Sequence, residues 1–117
     1  MQRQFENLKV WQMGMDLVKK IYTVTKEFPK DEQYGLVSQL RRAAVSIPVN
    51  IAEGKGRYHK KEFIQFLFVA RGSAYEVMTL LQAAQMLEYL SSKETEALLD
   101  MSGQITAMIN GLIQSVR

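Results

Sequence analysis

Gln39-Leu40-Arg41-Arg42-Ala43-Ala44-Val45-Ser46-Ile47-Pro48-Val49-Asn50-Ile51-Ala52-Glu53-Gly54 is the stretch on which the fold turns. Leu40, Ala43, Ile47 and Ile51 recur at helical spacing and, with Leu36 upstream, mark one apolar seam. Polar residues recur as well, at Arg42, Ser46, Asn50, Glu53 and Arg57, with steps of four, four, three and four. That spacing gathers them into one stripe of a helix. Pro48 lacks an N–H to bond the Ala44 carbonyl, so a bend is expected there. Gly54 is the expected stop, and Asp31 the expected N-cap, of a helix from about Glu32 to Gly54.

Three further segments carry helical periodicity. The first, from about Leu8 to Glu27, has two seams: Leu8, Trp11, Met15, Val18 and Tyr22, then Val10, Leu17, Ile21, Val24 and Phe28. Pro29 ends it. The third, from about Lys60 to Leu90, is the most apolar and is expected to be largely buried. One of its seams is Phe63, Leu67, Ala70, Ala74, Val77, Leu81 and Ala84, and another is Ile64, Phe68, Tyr75 and Met78. The last runs from about Lys93 to Val116, and Ser91 with Glu94 has capping-box spacing. Nothing alternates as a half-buried strand does. Short connections favour antiparallel neighbours, so all 117 residues read as one domain, an all-α, up-down-up-down antiparallel four-helix bundle. The surplus apolar seams point to self-association.

Net charge is +3, but residues 41–71 carry seven Lys/Arg (41, 42, 55, 57, 60, 61, 71) against Glu53 and Glu62. Such an asymmetry bears on partners rather than on fold. Arg41, Arg42, Lys55, Arg57, Lys60 and Lys61 are the candidate nucleic-acid contacts. They surround the loop Gly54-Lys55-Gly56-Arg57-Tyr58-His59, in which Tyr58 and His59 offer faces for base stacking. The plainer reading of the same loop is a solvated turn whose charges confer solubility. The stripe residues Arg42, Ser46, Asn50 and Glu53, with Glu76 on the third helix, read as a structural or interface network. In it, Arg42 or Arg57 pairs Glu53 or Glu76.

With no cysteine and one histidine, thiolate metal sites, disulfides and most nucleophile–base arrangements are excluded. The single His59–Glu62 pair is not the doubled Glu-x-x-His of a di-iron bundle. The chain therefore reads as a non-enzyme with no metal and no cofactor. A small-molecule pocket lined by Trp11, Tyr75 and Phe66 ranks behind binding to nucleic acid or to protein. No run is long enough to span a bilayer, and Met1-Gln2-Arg3-Gln4-Phe5-Glu6 lacks a signal-peptide core, so a cytoplasmic location is expected.

Taken together, these residues resemble a family. The matching elements are Phe5–Leu8 with Val10-Trp11-Gln12, then Phe28-Pro29, Glu32 and Tyr34-Gly35-Leu36. They continue through Gln39-Leu40-Arg41-Arg42-Ala43, Ser46-Ile47-Pro48 and Asn50-Ile51-Ala52-Glu53-Gly54 to Glu62-Phe63, Phe66-Leu67, Ala70-Arg71-Gly72-Ser73 and Glu76. In these the chain resembles the four-helix bundle proteins encoded within intervening sequences of bacterial 23S rRNA genes, also labelled S23 ribosomal proteins. The resemblance implies a ring-like homopentamer. It also implies kinship with the basic pentameric accessory proteins of diversity-generating retroelements, which bind nucleic acid and a reverse transcriptase. A partner that itself handles nucleic acid is thus a second expectation, realised through a protein-interaction scaffold. The family usually has a small hydroxyl residue where His59 stands, so His59 caps the third helix less well.

Overall fold

The computed structural model describes residues 3–117. Met1 and Gln2, which belong to the N-terminal stretch and to the 1–117 domain reading above, lie outside them. A single 3-10 turn at Gln4–Asn7 leads into α1 (Lys9–Thr25). α2 (Leu36–Lys55), α3 (Lys60–Met86) and α4 (Ser92–Val116) follow, and the described residues form no strand.

Each helix packs on the next, and α1 packs on α4, so the four enclose one core. Pairings along the helices fix their register. Gly14 lies against Pro48, and Arg41 reaches Tyr22 and Thr25. Ser46 meets Ser73, and Gly54 faces Phe63 and Phe66. Arg71 bonds Asn110. The α1–α4 groove joins Leu8 to Leu112 at one end and Val24 to Glu94 at the other.

The core is built from one face of each helix. α1 buries Val10, Gly14, Leu17 and Ile21; its other seam stays half-covered, with Met15 and Tyr22 exposed. α3 buries the expected seam from Phe63 to Ala84, but Val69 and Tyr75 are exposed, so its apolar circumference is not fully enclosed. Leu98, Ile105, Ile109 and Ile113 close the core from α4.

Several boundaries differ from expectation. α1 ends at Thr25 rather than Glu27, its last turn tightening through Phe28 N–H to the Thr25 carbonyl. α2 starts at Leu36 rather than Glu32, because Pro29 opens a separate 3-10 turn over Lys30–Glu32 and Gly35 breaks the path with φ −114° and ψ −109°. Asp31 therefore caps nothing in α2; Glu32 does so instead, its Oε1 accepting the Leu36 N–H at 3.1 Å. Gly54 is not a stop, since the helix continues to Lys55 and Gly56 takes the C-cap. As expected, α2 is one helix through Pro48.

α3 ends at Met86, short of Leu90. Glu88 takes a left-handed φ of 67°, its N–H bonds the Gln85 carbonyl, and Tyr89 N–H reaches back to Ala84. That pair of bonds is the Schellman closure, usually made with glycine. The Ser91/Glu94 capping box forms in both directions, each bond 3.0 Å long.

Candidate nucleic-acid interface

The connection between α2 and α3 is short and pinned at both ends. Gly56 N–H bonds the Ala52 carbonyl and Arg57 N–H bonds Gly54. His59 is the extended N-cap residue of α3, and its carbonyl accepts from Glu62 and Phe63. Its side chain makes no cap bond, as its chemistry predicts.

Gly54 sets how closely the two helices meet. A Cβ there would lie 2.7 Å from the Phe66 Cβ and 3.0 Å from Phe63 Cδ1. The phenylalanines then form a floor beneath two cations. The Arg57 guanidinium lies 4.7 Å from the Phe66 ring centroid and the Lys55 ammonium 5.7 Å from that of Phe63. Such contacts hold a long side chain over an aromatic face while its charge stays toward water. Sequence reading missed this floor. Periodicity places Phe63 in a core seam and Phe66 beside a candidate pocket, although their spacing three apart, just after Lys60 and Lys61, is visible in the chain.

Lys60 and Lys61 stand exposed on the first turn of α3. Among the described residues the one ion pair within 4.0 Å is Arg3–Glu6, so Lys55, Arg57, Lys60 and Lys61 have no acidic partner. Four cations therefore converge at one connection.

Arg41 and Arg42 do not join them. At about 1.5 Å of rise per residue they stand roughly 20 Å up α2 from Lys55. Arg41 is occupied on α1: its Nε donates to Thr25 Oγ1 at 3.0 Å and its guanidinium lies 4.4 Å from the Tyr22 ring centroid. It also donates to the Tyr22 carbonyl, in the last turn of α1, where a cation is favoured. Arg42 is exposed in a groove with Gln39, Ser46 and Glu76.

The polar stripe resolves into a smaller cluster. Ser46 and Ser73 hydroxyls meet at 2.8 Å, and Asn50 Nδ2 donates to Ser46 Oγ at 2.9 Å and to its carbonyl at 2.8 Å. The expected ion pairs are absent. Glu76 is exposed rather than buried, because it sits at the open rim of the α2–α3 groove, and neither it nor Glu53 pairs with Arg42 or Arg57.

Trp11, Tyr75 and Phe66 do not converge either, since Trp11 lies between α1 and α2 in an apolar groove with Met15, Val18, Val45, Pro48 and Val49. No cluster of three His, Asp or Glu suited to a metal occurs among the described residues. Among the described residues no helix is long and apolar enough to cross a membrane.

An all-α protein of four helices, whose clearest concentration of unpaired charge is one interhelical connection, is the class that this geometry defines. The chain belongs to the 23S rRNA-intervening sequence protein family, whose model matches residues 6–111. It is also similar to a crystal structure from Bacteroides thetaiotaomicron VPI-5482, described as a protein with unknown function from the S23 ribosomal protein family. The TM-score is 0.81 at 24% identity, covering 89% of this chain and 97% of that one. At that identity the likeness speaks for the fold. No curated protein matches the chain.

Proposed function

We propose that this protein is a non-enzymatic, cytoplasmic homo-oligomer that grips nucleic-acid backbone, RNA or DNA, through the α2–α3 connection. The observation that carries this reading is the convergence of Lys55, Arg57, Lys60 and Lys61 without an acidic partner, two of them seated on Phe63 and Phe66. Phosphates neutralised by such cations release counterions, which drives binding without reading sequence. Arg42 is a peripheral contact in this scheme, and Arg41 is withdrawn from it by its bonds to α1.

The helix pairings support an up-down-up-down order. The apolar α1–α2 groove, with Met15 and Val49 each 45% exposed, supports burial against a second copy. A closed ring repeats the cationic connection once per subunit, and the family resemblance points to five. Replacing Lys55, Arg57, Lys60 and Lys61 together by Glu is expected to abolish binding while the helical circular dichroism persists; undiminished affinity would reject this site. M15E combined with V49E is expected to lower the mass measured by light scattering, and an unchanged mass would remove this face from the assembly.

The same apolar groove also favours a second reading, a scaffold that docks another protein, which is the better account should nucleic acid fail to bind. Its binding would be insensitive to salt.

A further inference from the structure

Two tyrosines are almost wholly solvated: Tyr34 is 96% exposed and Tyr58 is 94% exposed. Neither ring contributes to the core. Their surroundings differ. Tyr34 follows Lys30, Asp31, Glu32 and Gln33, where charges of both signs offset each other. Tyr58 sits among Lys55, Arg57, Lys60 and Lys61, with Glu53 and Glu62 at the outer ends of the stretch, so the cations outnumber the acids two to one.

The backbone on either side of Tyr58 is tied down. Arg57 N–H bonds Gly54, and the His59 carbonyl accepts from Phe63 at 3.2 Å. The His59 ring stands perpendicular to that of Tyr58, at 90° with centroids 5.0 Å apart. The result is an open aromatic face on an anchored backbone, flanked in sequence by four cations, none of which lies within 4.0 Å of a carboxylate.

We infer that Tyr58 is a stacking platform for an unpaired base, so that the α2–α3 connection takes single-stranded nucleic acid, or an unpaired loop, in preference to a duplex. This rests on the nucleic-acid reading above and sharpens it to a ligand class. In a duplex both faces of each base are covered by neighbours in the stack. An unpaired base has a free face to lay on the phenol ring while the adjoining phosphates meet the lysines. RNA and DNA bases share that face.

The test is fluorescence anisotropy of the full chain with labelled oligouridylate, oligothymidylate and a blunt duplex, using wild type, Y58A, Y58F and Y34A. Because both tyrosines are solvated, all variants should keep the wild-type circular dichroism. Y58A is expected to weaken single-strand binding about 5-fold or more, in line with losing one base–aromatic stack, and to leave duplex binding unchanged. Y58F should match wild type, since stacking uses the ring and not the hydroxyl. Y34A should match wild type throughout. Equal loss on single strand and duplex, or no loss on either, would overturn the stacking role while leaving the backbone-gripping reading intact. Absence of binding by wild type to all three probes at low salt would overturn both.

Discussion

Glu88 takes a conformation for which its side chain is poorly suited. Its φ of 67° closes the C-terminus of α3. A left-handed residue with a Cβ costs about 1–2 kcal/mol, whereas glycine's extra chain entropy costs about 0.5–1 kcal/mol. E88G should therefore stabilise the protein by about 0.5–1 kcal/mol, the difference between those two effects. Urea denaturation measures it, and a lower midpoint at unchanged slope would contradict the reading.

Tyr89, next in sequence, ties two connections together. Its hydroxyl donates to Glu32 Oε2 at 3.0 Å while the other oxygen of that carboxylate caps α2. The bond to Glu32, then burial, then the charges of Glu32 and Asp31, hold the phenol above its ordinary 10.0. A raised folded-state value means the contribution is complete below the unfolded-state value and is lost as pH rises through the folded one. Wild type should thus lose stability on moving to strongly alkaline pH more steeply than Y89F, as followed by thermal melting. Identical alkaline profiles would show that the bond contributes nothing.

At the scale of elements, close approach matters most where α2 meets α3. G54A places a methyl group 2.7 Å from the Phe66 Cβ, a distance that real side chains do not adopt. Relief requires the two helices to part, with a cost of about 1–3 kcal/mol as in other overpacked interiors. The same shift would disturb the floor beneath Arg57 and Lys55, so a destabilised G54A should also bind nucleic acid more weakly. A variant as stable as wild type would show that the helices part freely.

The elements themselves were legible because their signals are periodic. The buried seam of α3 is the one its spacing marks, and the Ser91/Glu94 box is where its residues place it. Starts and stops depending on a single backbone dihedral were not legible. Gly35 breaks the path into α2, and Gly54 reads as a stop although its role is close packing.

Site residues were harder still, because a helical stripe states which residues share a face but not what faces them. Arg41 and Arg42 are adjacent in sequence, yet one reaches across to Thr25 and the other lies in an open groove. Glu76 reads from its apolar helix as the partner of an arginine, yet it lies exposed at a rim with no ion pair. The loop cations stayed together because only a few residues separate them, whatever the tertiary packing.

For the whole molecule, charge and apolar surface are segregated. The α2–α3 connection gathers four cations without an acidic partner within 4.0 Å, and the α1–α2 groove carries Trp11, Met15 and Val49. One surface is thereby open to a polyanion while the other is open to a second copy in the proposed assembly, and substitutions in the groove leave the cationic side chains in place. Loss of assembly in the M15E/V49E pair should lower the apparent affinity for a long nucleic acid, since one ligand then meets one connection rather than several.

The most direct measurement is anisotropy of a labelled structured RNA and of a duplex DNA across a salt series. The account predicts micromolar or tighter binding at low salt. The logarithm of the affinity should fall linearly with that of salt, by about 0.7–0.9 per phosphate engaged. No binding at low salt, or an affinity flat across the series, would contradict it.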